Sequence, residues 1–296
     1  MRASLLQIAV DDDESVISRR ARVSSLVREV VEREGSGLVV LPELWTTGAF
    51  GYEAFAAEAE PLEGPTYEAM AETARETGVW LHAGSIPERA VSVGAAAGDG
   101  VAGAEGAAGV AEADGAAGVA GALFNTSLVF SPSGELAAAY RKIHRFGFDK
   151  GEAVLMGAGH ELATVRTPET VLGLATCYDL RFPELFRGLV DAGAEVFVVP
   201  AGWPARRRAH WSLLARARAV EDQVYVLACG TAGTHAGVEQ AGASVVVDPW
   251  GEVVAEASPT REAVLTVDLD LARVAETREQ FPALKDRRLG VAAPTL

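Results

Sequence analysis

The sequence predicts an α/β fold in a single domain, residues 1–296. Two patterns carry that expectation. Short apolar runs rich in Val and Leu are bounded by Gly, Pro or Asp, and helical patterns lie between several of them. Length supports it: 296 residues, 49% hydrophobic and 23% charged, can bury a large core without disulfides or a structural metal.

The predicted strands, in order, are Ser4–Val10, Leu38–Leu41, Val79–Ala83, Ser127–Phe130, Val171–Thr176, Glu195–Val199, Val224–Ala228, Ser244–Val247 and Val264–Val267. The predicted helix Ser15–Glu34 places Val16, Val23, Leu26, Val27 and Val30 largely on one face. Gly64–Thr77 is the next, with Pro65 suited to its first turn. Pro183–Ala192 and Arg207–Gln223 follow. From Ser244 onward the connections are short and the strands read as antiparallel. A mixed sheet, or a two-sheet sandwich covered by helices, therefore fits better than a purely parallel sheet.

One segment departs from this pattern. Between Gly94 and Ala122, 22 of 29 residues are Ala or Gly, so there is little apolar surface to offset the entropy of ordering. The expectation is a mobile surface loop inserted into the domain. A domain boundary near residue 100 is the competing reading, opposed by the continuity of the patterns on either side.

Composition excludes several classes. With 26 Lys+Arg against 41 Asp+Glu, a net charge of −15 disfavours nucleic acid and anionic membranes. Arg206, Arg207, Arg208, Arg216 and Arg218 cluster on or beside one predicted helix. On an acidic chain they read as a solvated or interface face rather than a nucleic-acid patch. No apolar run approaches transmembrane length, and the N-terminal one is too short for a signal segment, so a cytoplasmic protein is expected. The two cysteines, Cys177 and Cys229, make no disulfide framework. His82, His144, His160, His210 and His235 lack metal-ligand spacing, and no phosphate-loop motif occurs. No metal, nucleotide or flavin cofactor is expected.

Three predicted strand ends carry reactive side chains. Leu38-Val-Val-Leu-Pro-Glu43 delivers a carboxylate, which burial could tune into a general base or which could be a solvated glutamate. Lys142, in Tyr140-Arg-Lys-Ile-His144, follows a strand-turn-strand pattern around Ser131-Pro-Ser-Gly134. It could hold an oxyanion or merely face solvent. Val171-Leu-Gly-Leu-Ala-Thr-Cys177 runs into a turn that Pro183 converts to helix. Helix N-terminal amides and a nearby cation would favour a thiolate there, although a lone cysteine can also be an inert core residue. Cys229 is read as such a core residue.

Taken together the stretches LPELWTTG, GSIPER, FNTSLVFSPSGEL, YRKIH, GLATCYDLRFPELFR and HWSLLARARAVEDQVYV resemble the nitrilase, or carbon–nitrogen hydrolase, superfamily. CYDLRFPEL points to its Nit and ω-amidase-like branch. The resemblance implies a four-layer α-β-β-α sandwich and a catalytic Glu43–Lys142–Cys177 triad. It further implies a second carboxylate orienting the lysine, for which Glu152 is the best match. Cys177 would attack a small linear amide, possibly one bearing a carboxylate, and form a thioester. Glu43 would shuttle the proton, with Lys142 and the backbone N–H of Tyr178 holding the oxyanion. Arg181 would bind a substrate carboxylate or form a structural ion pair. Trp203 would wall the pocket or pack in the core, with Phe148 and Tyr52 as weaker lining candidates. Homodimerisation through helices is also implied, with Phe281–Leu296 as a segment that could wrap the partner. The alternatives are an N-carbamoyl amide or aliphatic nitrile hydrolase and, from another class, a catalytically silent binding subunit.

Overall fold

Residues 1–91 and 121–290 are described in the computed structural model of the protein. The chain runs through β1 (Arg2–Gln7), α1 (Val16–Glu34), β2 (Leu38–Val40), α2 (Tyr52–Ala57), α3 (Pro65–Thr77), β3 (Trp80–Arg89), β4 (Leu123–Phe130) and β5 (Leu136–Arg141). It continues with α4 (Glu152–Leu155), β6 (Thr164–Arg166), β7 (Val171–Leu174), α5 (Pro183–Asp191), β8 (Val196–Ala201), α6 (Arg208–Asp222) and β9 (Tyr225–Gly230). The last elements are β10 (Thr234–His235), β11 (Val238–Glu239), β12 (Val245–Val247), β13 (Val253–Glu256), β14 (Ala263–Asp268) and α7 (Ala272–Gln280). Short 3-10 turns occupy Cys177–Arg181, Ala205–Arg207 and Ala283–Asp286.

Every predicted strand and helix is present, with shifted ends. β1 stops at Gln7, three residues before the predicted end, whereas β3 runs on to Arg89 and β4 begins at Leu123. The strands form two six-stranded sheets, β14-β1-β2-β3-β4-β5 and β13-β12-β9-β8-β7-β6. In each sheet the central pairings are parallel (β1–β2–β3 and β7–β8–β9) and the flanking ones antiparallel. The late strands β12, β13 and β14 are antiparallel, as their short connections predict.

Strand alternation then sets the layers. In β1 and β2, Leu5, Leu38 and Val40 face inward and pack in one cluster with Val198 and Leu227 of the second sheet. Leu6 and Val39 face outward and meet Val23, Val27 and Val30 of α1 and Met70 and Ala74 of α3. Phe186 and Leu189 of α5, with Trp211, Ala215 and Ala219 of α6, cover the second sheet. The result is α-β-β-α. Cys229 lies between the sheets, fully buried, its thiol donating to Leu6 O at 3.5 Å and Val40 O at 3.4 Å. Burial drives its proton affinity up, as suits an inert core thiol.

The Ala/Gly-rich stretch 94–122 falls between β3 and β4 and lies outside the described residues except for Gly121 and Ala122. Its flanks meet: Ala90 N donates to Ala122 O and Gly121 N donates to Ala90 O, both at 2.8 Å. The described residues on either side of the stretch are thus paired neighbours at the end of β3 and the start of β4.

β3 is irregular between His82 and Ser85, where Gly84 takes φ +64°. A Cβ there would sit 2.0 Å from Pro42 O. The irregularity lets Ser85 N donate to Pro42 O at 3.3 Å and Ser85 Oγ accept from Leu44 N at 3.0 Å, which brackets the Glu43 turn. Gly84→Ala should therefore lower stability by about 1–3 kcal/mol or more. Calorimetry should show this as a fall in Tm of roughly 2–4 °C per kcal/mol. An unchanged Tm would show that the turn tolerates the methyl group.

Candidate active site

The site forms where strand ends from both sheets converge on one edge, the usual place for chemistry in open α/β sheets. Glu43 follows β2, Lys142 follows β5, Cys177 follows β7 and Gly202 follows β8. Glu43, Lys142 and Glu152 are 1%, 2% and 4% exposed. Each is placed by backbone. Leu44 turns the chain after Glu43 at φ +44°. Lys142 N donates to Asn125 O at 2.8 Å. Cys177 sits at φ +48°, an uncommon conformation for a residue with a Cβ, at the start of its 3-10 turn.

Lys142 Nζ donates to Glu43 Oε1 and Glu152 Oε2, each at 2.7 Å. Asn125 Nδ2 donates to Glu43 Oε1 at 2.8 Å and Glu152 Oε1 at 2.9 Å. Gly202 N donates to Glu43 Oε2 at 2.7 Å, and Phe146 N to Glu152 Oε2 at 2.9 Å. Glu152 is therefore a buried partner of the lysine and not a loop glutamate in a charged turn.

Electrostatics divides the groups. Burial pushes the Cys177 thiol well above its usual range, and the facing Glu43 carboxylate pushes it further. The resting thiol is thus protonated, which corrects the expectation that its turn would favour a thiolate. The turn's amides and Lys142 are outweighed by desolvation and by Glu43. Burial works against charge on Lys142, but Glu152 and Glu43 outweigh it and keep the ammonium charged. Burial also opposes charge on Glu43, yet Lys142 and the Gly202 N–H hold its carboxyl below the ordinary value. Glu152 lies above its ordinary value, because burial exceeds the help from Lys142. The arrangement pairs a neutral thiol with an ionised carboxylate that can accept its proton.

A buried carboxylate fixes the cysteine turn to the lysine arm. Asp179 accepts from Tyr140 Oη at 2.7 Å, Thr176 N at 2.9 Å and His144 N at 2.9 Å, and contacts His144 Nδ1 at 2.8 Å. His144 stacks on Phe182 with centroids 3.7 Å apart. It is a structural partner of Asp179, so a Cys177–His144 pair is not formed. Cys177 and Tyr178 open the turn, so their N–H groups have no partner within it.

Two small cavities meet at Cys177. One is lined by Glu43, Lys142, Glu152, Phe50 and Tyr52. The other is lined by Tyr178, Arg181, Trp203, Arg207 and Phe146. Trp203 is 3% exposed, donates to Arg207 O at 2.8 Å and lines the second cavity. Phe148 is exposed and lines only the outer vestibule, whereas Tyr52 reaches the inner cavity. Arg181 lies 5.0 Å over the Trp203 ring and donates to His210 Nδ1 at 3.1 Å; it does not pair with Glu184. The guanidinium of Arg207 lies 5.0 Å over Phe146. Burial, then Arg206 and Arg181, depress its proton affinity, which marks a cluster of like charges. Among the described residues none of these three arginines forms an ion pair with an acid.

Of the other arginines near α6, Arg216 is exposed, Arg208 is partly exposed and Arg218 is buried. Arg208 donates to Ala241 O at 2.8 Å, Arg216 to Gly251 O at 2.9 Å and Arg218 to Leu180 O at 2.9 Å. Asn125, Gly202, Phe50, Phe146 and Arg207 are site residues that the sequence reading did not single out for chemistry. Only Asn125 left a signal, a residue poorly suited to strands near the start of a buried one.

Comparison with known proteins gives the family and the fold. The carbon–nitrogen hydrolase family model aligns with residues 2–279. The 2-oxoglutaramate amidase of Paenarthrobacter nicotinovorans is 39% identical, over 97% of this chain and 90% of that protein. The mouse ω-amidase Nit2 is 35% identical, over 97% of this chain and 95% of its own. Among solved structures, Saccharomyces cerevisiae Nit3, of branch 10 of the nitrilase superfamily, superposes with a TM-score of 0.81 at 27% identity, covering 98% of this chain and 97% of that one.

Removing the cation tests the network. Lys142→Met leaves two buried carboxylates without their counter-ion, and this should cost about 3–5 kcal/mol at pH 8. In the variant both carboxyls would have folded proton affinities above their unfolded ones. Their neutral forms are then favoured in the folded state, so stability should recover as pH falls towards 5 and decline as it rises. Urea unfolding at the two pH values measures this. Equal loss at both would indicate that the carboxylates find other compensation.

Proposed function

The chain belongs to the carbon–nitrogen hydrolase family, and from that premise we propose that it is a cysteine amidase of small linear ω-amides that carry a carboxylate. The observation that carries the amidase reading is the Cys177 thiol facing an ionised Glu43 that is held by Lys142.

In the mechanism, Cys177 transfers its proton to Glu43 as Sγ attacks the amide carbon. The ammonium of Lys142 has three protons, and two are committed to Glu43 and Glu152. The third and the Tyr178 N–H stabilise the oxyanion, each such donor contributing about 10²–10³ in rate. Collapse expels ammonia, protonated by Glu43, and leaves a thioester on Cys177. Glu43 then accepts a proton from water, whose oxygen attacks the thioester carbon. The acid departs and the thiol is restored.

The carboxylate preference rests on Arg181 and Arg207, which bring two guanidiniums to the cavity that holds Cys177. Arg207 is the better clamp, since Arg181 already donates to His210. The relatives named for 2-oxoglutaramate and ω-amide hydrolysis fit the same substrate class. The protein would act as a homo-oligomer, without cofactor, in the cytoplasm.

An ammonia-release assay over ω-amides with and without a carboxylate tests the reading. Cys177→Ala should abolish turnover while leaving the fold intact. Arg207→Met should raise KM for the carboxylate-bearing amide about ten- to a hundredfold, the worth of a charge-assisted hydrogen bond, and leave a neutral amide nearly unaffected. Equal effects on both amides would remove the carboxylate preference. Release of carbon dioxide with the ammonia would point to N-carbamoyl substrates instead.

A further inference from the structure

Asn125 bonds Glu43 and Glu152 through its side chain and Lys142 through its backbone. It lies on β4, 2% exposed, between strands that carry none of the reactive groups within their own length. Its single side-chain nitrogen donates to both carboxylates, at 2.8 Å to Glu43 and 2.9 Å to Glu152. Its carbonyl receives the Lys142 N–H at 2.8 Å, which fixes where the lysine leaves β5. Its Oδ1 is buried without a partner. The reverse amide orientation would aim that oxygen at two carboxylates, so electrostatics fixes the orientation. A buried strand position that loses a hydrogen bond at Oδ1 in order to spend both amide protons on carboxylates is hard to explain by packing.

We infer that Asn125 is a positioning residue that bridges Glu43 and Glu152 beside Lys142 and so fixes the Glu43 carboxylate where it faces the Cys177 thiol. The inference rests on the reading of Cys177 as nucleophile and Glu43 as proton acceptor. Two carboxylates on one lysine repel, and the lysine alone can draw each in through only one proton. Gly202 N and Phe146 N each add a donor to one carboxylate, and among the described residues the amide is the one neutral side chain that donates to both. Glu43 thereby stays ionised and directed at the thiol. The charged and titratable groups facing this pair are Lys142 from the end of β5, Cys177 from its 3-10 turn, Tyr52 of α2 and, more distantly, His235 of β10. Tyr52 and His235 stay neutral near pH 7: burial raises the first and lowers the second to about 4. Neither replaces the amide as a charged partner.

The test is the pH profile of kcat/KM for Asn125→Leu and Asn125→Asp in the full-length protein. Asn125→Leu should lower kcat about ten- to a hundredfold with KM within about twofold, as for a lost contribution to proton transfer. Its acid limb, which reports Glu43, should move up by about one pH unit, because the charged carboxylate has lost a donor. Asn125→Asp should be poorest at neutral pH, where it adds a third negative charge. It should recover relative to the parent as pH falls and the new carboxyl becomes a donor. Melting temperature and alkylation of Cys177 by iodoacetamide confirm folding, and Asn125→Ser reads the same limb if the leucine variant does not fold. An acid limb unmoved in folded Asn125→Leu or Asn125→Ser, or no acid recovery in Asn125→Asp, would overturn the inference. Cys177→Ala is the control: activity in that variant defeats the nucleophile reading itself, whereas an inactive Cys177→Ala with an unmoved limb defeats only the role of Asn125.

Discussion

Burying a lysine with two carboxylates is the constraint around which the rest is arranged. An isolated charge transferred from water to a protein interior carries a penalty of several kcal/mol even after relaxation. It persists only where partners replace its hydration. Lys142, Glu43 and Glu152 are nearly inaccessible, and the bonds among them are supplemented by Asn125, Gly202 N and Phe146 N. These donors come from β4, the end of β8 and the loop after β5, so no single element could satisfy the cluster. The two sheets must sit face to face for it to exist. The sandwich and the charge network therefore constrain each other.

The cysteine turn answers to the same constraint. Cys177 adopts a positive φ that an ordinary turn residue would avoid. It is held there by Asp179, whose buried carboxylate collects donors from Thr176 at one side and from Tyr140 and His144 at the other. Tyr140 and His144 flank Lys142 in sequence, so the lysine arm and the thiol turn are tied by one side chain. A displacement of either would strip a fully buried carboxylate of donors, which is costly. The geometry between thiol and lysine is thus stored in Asp179 as well as in the sheets. The protonated resting thiol follows from proximity to Glu43: an acid that stays ionised beside a thiol opposes the thiolate until the substrate carbonyl is there to receive it.

Much of this was legible in the sequence for reasons that are physical. Strands such as Leu38–Val40 and Val171–Leu174 are buried on both faces and so read as unbroken apolar runs. The reactive residues follow those runs and become visible as polar residues at abrupt ends. The helices with amphipathic stripes were equally plain. What stayed hidden lacked a period or a length. α2 and α4 span six and four residues, too few for a periodic signal. α7, Ala272–Gln280, has Val274 as its one large apolar side chain. Asn125 and Gly202 were hidden because their roles come from where another strand places its end. Among the arginines of α6, Arg218 misled because charge in a sequence says nothing about reach. Arg208 and Arg216 reach backbone carbonyls while staying partly or largely solvated, whereas Arg218 is buried on Leu180 O.

The acidic chain and its basic mouth can be reconciled by distance. A net charge of −15 spread over the surface is screened within roughly 8–10 Å at physiological salt. The guanidiniums of Arg181 and Arg207 act within the small cavity that holds Cys177, and Arg206 lies beside them at the vestibule. Stacking on Trp203 and Phe146 keeps the first two planar groups in place without neutralising them, as an acidic partner would. Their mutual repulsion, felt in the lowered proton affinity of Arg207, is relieved when an anion enters. The same charge would remain attractive to the acid product, which carries one carboxylate more than the amide. The inner end of the pocket supplies the opposing force. There the newly formed carboxylate faces Glu43 and Glu152, two carboxylates sharing one lysine. Substrate, neutral at its amide end, meets no such repulsion. For the carboxylate-bearing amide proposed above, attraction at the mouth and repulsion at the base would favour binding of the amide and expulsion of the acid.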